Sequence, residues 1–140
     1  MSNQIAPPPN ILLMKKNILV IDDDATFIAA MEGVLNKEHY EMTSAHDGTT
    51  GLEAIKKHKP DLILLDIRMP GMNGIEFLKE LNDTYGKGAI PIIITSNVSE
   101  LDIVSEGISL GVRGYFMKSN ESLENIVKIV DDAFGKRTEN

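Results

Sequence analysis

Three apolar runs of strand length constrain the fold of this chain more than any other feature. They are Ile18–Ile21, Leu62–Leu65 and Ile92–Ile94, and polar residues do not alternate with apolar ones in any of them. A strand without such alternation is buried on both faces, as happens when helices cover both sides of a parallel sheet. The runs therefore indicate a sheet enclosed between two layers of helices.

Strand-like and helical segments alternate along most of the chain. Five runs are predicted as strands: Asn17–Asp22, Tyr40–Ala45, Asp61–Asp66, Ile90–Thr95 and Arg113–Met117. Five helices are predicted between and after them, with apolar faces such as Phe27, Met31, Val34 and Leu35 in the first and Leu123, Ile126, Val127, Val130 and Phe134 in the last. This alternation predicts an α/β fold with a doubly wound, flavodoxin-like, five-stranded parallel sheet and five helices.

The composition of the strands also predicts their order. Tyr40–Ala45 mixes polar and apolar residues, so we place it at an edge of the sheet, and Pro91 fits only near the start of its strand. The order 2-1-3-4-5 satisfies these constraints. In such sheets a ligand binds beyond the carboxyl ends of the strands, where the strand order reverses, here between the first and third strands.

Charge and composition narrow the class of protein. The chain has 140 residues, with 14 Lys and Arg against 21 Asp and Glu, a net charge of −7. Such an acidic chain is not expected to bind nucleic acid directly, and no segment is long enough for membrane insertion. Cysteine is absent, which excludes disulfides and thiolate metal sites and fits a cytoplasmic protein. We predict one domain over residues 16–135, an extended tail over 1–15 and a short tail over 136–140.

Polar residues follow several of the predicted strands at the point where each strand ends. Asp22 and Asp23 follow the first strand, Asp66 closes the third, Thr95 closes the fourth and Lys118 follows the fifth. In a parallel sheet these ends share one edge, so carboxylates, a hydroxyl and an ammonium are expected together. Clustered carboxylates favour a bound cation, and Mg²⁺ prefers one or two carboxylates together with water and phosphate oxygens. The edge therefore suits phosphoryl chemistry.

Several motifs in order resemble those of one family. They are the segments 18–24 (ILVIDDD), 45–48 (AHDG), 66–74 (DIRMPGMNG), 94–96 (ITS) and 114–118 (GYFMK). This series resembles the receiver domains of two-component response regulators, in particular the stand-alone, chemotaxis-type receivers, over about residues 16–135. No single motif is decisive, but their order and spacing together are specific.

The resemblance implies a role for each site residue. Asp66 would accept a phosphoryl group from a sensor histidine kinase or a phosphotransfer protein, without the chain being an enzyme in the usual sense. Mg²⁺, or Mn²⁺ in its place, would be held by Asp23, Asp66 and the backbone carbonyl of Arg68, with Asp22 acting through water. Thr95 and Lys118 would contact the phosphoryl group.

The resemblance also implies an output. Tyr115 would move inward with Thr95 as a switch, and the surface formed by the fourth helix, fifth strand and fifth helix would signal to a downstream protein partner. The sequence leaves open whether the receiver acts alone or belongs to a longer chain.

Two positions depart from the pattern of that family. Proline usually follows the lysine at position 118, often with a cis peptide, but this chain has Ser119. A cis peptide before a residue other than proline costs about 3 kcal/mol, so the peptide is expected to be trans or strained. Arg68, two residues after Asp66, is expected to affect the lifetime of the phosphoryl group.

Two other functions remain open from the sequence. Residues 22–26 (DDDAT) also fit the first motif of haloacid-dehalogenase-type phosphatases, with Asp22 as nucleophile and Asp24 as acid and base, but no strand ending in an acidic pair follows Lys118. Asp24 is expected instead to cap the first helix. The third function is a docking module that works without phosphorylation, although all the expected site residues are present.

Overall fold

The computed structural model describes residues 15–38, 40–97, 101–119 and 121–135 of the chain. The strands are β1 (Lys16–Ile21), β2 (Tyr40–Ala45), β3 (Leu62–Asp66), β4 (Ile92–Ser96) and β5 (Gly114–Met117). The helices are α1 (Ala25–Lys37), α2 (Gly48–Lys57), α3 (Gly74–Tyr85), α4 (Leu101–Ser109) and α5 (Leu123–Ala133). The predicted tails lie outside the described residues, apart from Lys15.

The five strands form one parallel sheet in the order β2-β1-β3-β4-β5. This order confirms the predicted topology, including the mixed strand β2 at an edge. The predicted strands agree with the observed ones to within two residues at either end. The reversal of strand order lies between β1 and β3, where the sequence places its acidic residues.

The core consists of two layers, one on each face of the sheet, because successive side chains of a strand point to opposite faces. Leu19 and Ile21 of β1 pack into a layer with residues of α2 and α3, such as Ile55 and Phe77. The intervening residues of β1 pack into a second layer with α1 and α5, whose buried members are Phe27, Met31, Leu35, Ile126 and Val130. β1, β3 and β4 are therefore covered on both faces, as their uninterrupted apolar sequences predict.

Local hydrogen bonds fix the starts of two helices close to the edge of the sheet. The Asp24 side chain accepts from the backbone N–H groups of Thr26 and Phe27, which confirms that Asp24 caps α1. Asn73 and Glu76 form a reciprocal capping box at the start of α3. Such caps satisfy N–H groups that have no partner within the helix. They place both helices directly after the loops that carry the acidic residues.

None of the helices in the described part of the chain has the length and hydropathy needed to cross a lipid bilayer.

Candidate functional site

Three carboxylates meet at the carboxyl ends of β1 and β3. Asp22 is fully buried, Asp66 is 6% exposed and Asp23 lies at the surface. One oxygen from each of the three side chains lies within 4.8 Å of the others. The pairing of Ile21 with Leu65 explains this proximity, because each is followed by an aspartate in the next position of a parallel ladder. The carboxylate cluster predicted from the sequence is therefore present.

Lys118 provides the positive charge beside this cluster. Its Nζ lies 2.6 Å from Asp22 Oδ2 and 3.9 Å from Asp66 Oδ1, and its side chain is only 8% exposed. Lys118 follows β5, whose last residue, Met117, pairs with Ser96 of β4. The lysine therefore lies closer to Asp22 than to the predicted phosphoacceptor, which sequence spacing did not indicate.

Burial and the charges of neighbouring carboxylates make Asp66 and Asp22 difficult to ionise. Burial, followed by the negative charge of Asp22, raises the pKa of Asp66 to about 7, although Lys118 and the backbone N–H of Arg68 oppose that rise. Burial also raises the pKa of Asp22, against the hydrogen bond and positive charge of Lys118 and the N–H of Asp24. An added cation would relieve both effects, since an opposite charge favours the ionised form.

Thr95 lies directly beside Asp66, because these two residues pair across β3 and β4. Thr95 is 1% exposed, and among the described residues its Oγ1 has no hydrogen-bond partner. A buried hydroxyl without a partner is costly. The hydroxyl is thus available to a group that binds next to the Asp66 carboxylate.

The turn after β3 depends on a glycine at position 74. The Gly74 N–H donates to the Ile67 carbonyl oxygen at 2.8 Å and closes the turn. A Cβ atom at this position would lie 2.7 Å from the Asp66 carbonyl oxygen and 2.8 Å from the Ile67 Cα, both of them backbone atoms. Only glycine lets α3 start this close to the end of β3.

Ser119 takes part in a hydrogen bond that joins two loops of the site. All peptide bonds of the described residues are trans, including the one after Lys118. The Lys118 N–H donates to the Ser96 carbonyl oxygen at 2.7 Å, and the Ser119 hydroxyl donates to the Asn97 carbonyl oxygen at 3.0 Å. The loop after β5 is therefore tied to the loop after β4 without proline.

Two predicted site residues have observed positions but untested roles. The Arg68 backbone N–H donates to the Asp66 carboxylate, whereas the predicted use of its carbonyl by a metal stays a prediction. Tyr115 is half-buried in β5, opposite Ile94, and its role as a switch also stays a prediction.

One residue that touches this site is not identified by the sequence pattern. The helical spacing predicts that Phe27 lies on the apolar face of α1, and it does lie in the core, but the Lys118 ammonium also lies over its ring, 4.3 Å from the ring centroid. A helical apolar spacing does not distinguish a core phenylalanine from one that also contacts a charge. The sequence does place Phe27 in the first turn of the helix, three residues after Asp24 and therefore close to the acidic residues.

The donor set fits a hard divalent cation. Asp22, Asp23 and Asp66 supply oxygen atoms at close range, and oxygen is the ligand that Mg²⁺ prefers. One carboxylate is exposed and two are buried, so the cluster is reachable from solvent while most of its negative charge is shielded from water. The residues present therefore fit the magnesium site that the resemblance implies.

The phosphatase alternative is not supported by the arrangement of its residues. Asp24, which would act as acid and base, instead caps α1. The acidic pair Asp131–Asp132 lies within α5, which extends over Leu123–Ala133, rather than at the end of a strand. The phosphatase motif would also leave the buried Asp66 without a role.

Comparisons with known proteins agree on one family. The family model for the response regulator receiver domain matches residues 18–131. The chain is 37% identical over 106 residues to sporulation initiation phosphotransferase F of Bacillus subtilis, covering 76% of this chain and 84% of that protein. It is 35% identical over 117 residues to the DNA-binding response regulator MtrA of Mycobacterium tuberculosis, covering 83% of this chain but only 50% of that protein.

Solved structures show the same fold. Chemotaxis protein CheY4 of Vibrio cholerae superposes with a TM-score of 0.78 at 25% identity, covering 85% of this chain and 98% of that chain. A CheY-like receiver domain protein of Methanospirillum hungatei superposes with a TM-score of 0.79 at 24% identity, covering 86% of this chain and 94% of that chain. The chain therefore belongs to the response regulator receiver domains of two-component signalling systems.

Proposed function

We propose that Asp66 accepts a phosphoryl group and that the modified receiver signals to a protein partner. The observation that carries this proposal is the grouping of one nearly buried carboxylate with an adjacent ammonium and an unpartnered hydroxyl. Asp66 is 6% exposed, Lys118 Nζ lies 3.9 Å from it, and Thr95 is its neighbour in the sheet. This combination can attack a phosphorus atom and then stabilise the oxygens that the phosphoryl group brings.

The chemistry follows from the side chains. A carboxylate oxygen of Asp66 attacks the phosphorus, an O–P bond forms, and the P–N bond of a phosphohistidine or the P–O bond of acetyl phosphate breaks. The leaving group keeps the electron pair. The Lys118 ammonium moves from Asp22 towards the new phosphoryl oxygens, and the Thr95 hydroxyl donates to one of them. The Arg68 N–H holds the attacking carboxylate in place.

Asp23 and Asp66 would hold Mg²⁺, or Mn²⁺ in its place, with the Arg68 carbonyl as a third protein ligand and Asp22 acting through water. When bound, the ion would neutralise phosphoryl oxygens and offset the repulsion within the cluster. Asp22 and Lys118 pair with each other at 2.6 Å, so each of these two buried charges has a partner before the phosphoryl group arrives.

The partners are assigned from the chemistry and the family. A sensor histidine kinase or a phosphotransfer protein would supply the phosphoryl group in the cytoplasm. The surface of α4, β5 and α5 would carry the signal, with Tyr115 moving as Thr95 is drawn towards the phosphoryl group. The chain spans about half the length of MtrA, so both the stand-alone receiver and the receiver of a longer regulator fit this function.

Phosphorylation by acetyl phosphate tests the assignment of Asp66. Wild type, Asp66→Asn and Asp22→Asn are incubated with acetyl phosphate, with and without Mg²⁺, and their intact masses are measured. We expect one added phosphoryl group in wild type that requires Mg²⁺ and is absent from Asp66→Asn.

Two other outcomes would point to the alternative functions. A label that persists in Asp66→Asn but disappears in Asp22→Asn would favour the phosphatase. No label on a folded protein under any of these conditions would favour a docking module.

A further inference from the structure

Three groups lie close to the Lys118 ammonium. Asp22 Oδ2 lies 2.6 Å from Nζ, Asp66 Oδ1 lies 3.9 Å from it, and the Phe27 ring centroid lies 4.3 Å from it. Phe27 stands in the first turn of α1 and is 8% exposed, so little water reaches the contact. Its ring therefore faces the charge in the position that a cation–π interaction requires.

The ring differs from the carboxylates in one important respect. Asp22 attracts Lys118 through a full negative charge and so competes with an incoming phosphoryl group for the same ammonium. The Phe27 face attracts the cation through its quadrupole and carries no net charge, so it opposes a movement of the lysine towards a phosphoryl group less strongly than Asp22 does. The ring can thus limit where the Lys118 ammonium lies without pairing with it as a carboxylate does.

We propose that Phe27 is a positioning residue for Lys118, acting through the face of its ring and not only through its volume in the core. This inference rests on the proposed phosphoryl acceptance by Asp66. Lysine has four flexible side-chain carbons, and the ring limits the positions that its ammonium can take up. Phe27 therefore keeps the ammonium within reach of the phosphoryl oxygens on Asp66.

The test compares variants that remove or keep the aromatic face at position 27. Phe27→Leu keeps an apolar side chain but removes the aromatic face, whereas Phe27→Tyr keeps that face. Phe134→Leu is the matched control, because Phe134 makes a second aromatic contact with a lysine, Lys16 Nζ at 5.5 Å, at the opposite end of β1. The rate constant for phosphorylation by acetyl phosphate with Mg²⁺ is followed by intact mass, and thermal unfolding of each variant is followed by circular dichroism.

Each variant at position 27 is also made in a Lys118→Ala background, which gives a double-mutant cycle. We expect Phe27→Leu to slow phosphorylation about 3- to 10-fold, equivalent to about 0.7 to 1.4 kcal/mol. Phe27→Tyr and Phe134→Leu should stay close to the wild-type rate. In the Lys118→Ala background, Phe27→Leu should cause no further loss, because the group it positions is gone.

The other outcomes separate this inference from the proposed function. If wild type is phosphorylated and Phe27→Leu reacts at the same rate, the positioning role is wrong while the function of Asp66 stands. If Phe27→Leu lowers the phosphorylation rate equally with and without Lys118, the positioning role is also wrong, because the effect would then come from general packing. If wild type takes up no phosphoryl group, the proposed function fails and this inference fails with it.

Discussion

Replacing Asp66 with asparagine is expected to stabilise the protein while it abolishes the proposed phosphorylation. Asparagine has nearly the same shape as aspartate and carries no charge. In the folded protein Asp66 is 6% exposed, and burial together with the charge of Asp22 raises the pKa of its carboxyl group from 3.8 to about 7. The unfolded chain ionises the same group in water, so keeping the charge in the folded state costs free energy.

The size of this cost follows from proton linkage. A tenfold change in proton affinity is worth about 1.4 kcal/mol, so holding Asp66 ionised at pH 8 costs about 4 kcal/mol. Since the folded protein binds the Asp66 proton more tightly than the unfolded chain does, stability is gained as pH falls from 8 towards 4. At pH 5.5 the folded protein avoids part of the cost by keeping Asp66 protonated, and the remaining cost is about 2 kcal/mol.

Urea unfolding followed by circular dichroism, without divalent cations, measures this difference. The free energy of unfolding of Asp66→Asn should exceed that of wild type by about 4 kcal/mol at pH 8 and by about 2 kcal/mol at pH 5.5. The slope of the free energy against urea should be the same for both proteins. Added Mg²⁺ should narrow the gap at pH 8, because it binds the folded wild type and stabilises it.

The control is Asp83→Asn, which removes an exposed carboxylate from α3. Its unfolding free energy should differ from that of wild type by at most about 0.5 kcal/mol at both pH values. A lower free energy of unfolding for Asp66→Asn than for wild type, or an equal gain at pH 8 and pH 5.5, would show that the buried charge of Asp66 does not destabilise the fold.

Three further substitutions test how the site is built. Gly74→Ala should lower the free energy of unfolding by about 1 to 3 kcal/mol, because its Cβ meets the Asp66 carbonyl oxygen; thermal unfolding unchanged from wild type would contradict this close contact. Asp24→Ala should lower the free energy of unfolding, measured by urea titration, by about 1 kcal/mol because the helix loses its cap, whereas Asp24→Asn should lower it little. Equal decreases in both variants would exclude capping as the cause. Ser119→Ala should lower the free energy of unfolding by about 0.5 to 1.5 kcal/mol because it removes the hydrogen bond to the Asn97 carbonyl oxygen. Ser119→Thr keeps a hydroxyl and should keep most of this free energy, so an equal decrease in both variants would argue against the hydrogen bond.

Much of the fold could be predicted from the sequence because its signals are local. The uninterrupted apolar runs of β1, β3 and β4 indicate burial on both faces, and the mixed sequence of β2 indicates an edge. Parallel strands bring their carboxyl ends to one side, so the grouping of Asp22, Asp66 and Lys118 also followed from the sequence. The capping role of Asp24 was predicted from its position before an apolar helical face.

The finer arrangement of the site depends on contacts between distant segments. The preference of Lys118 for Asp22 over Asp66 depends on strand register and side-chain reach, which periodicity does not specify. The contact of Phe27 with Lys118 joins α1 to the loop after β5, 91 positions apart along the printed chain. The raised pKa of Asp66 is the sum of burial by every neighbouring segment and of several charges. The sequence by itself determined which groups gather at the edge of the sheet, whereas the tertiary structure decided their distances and solvent exposure, because these depend on how all the elements pack together.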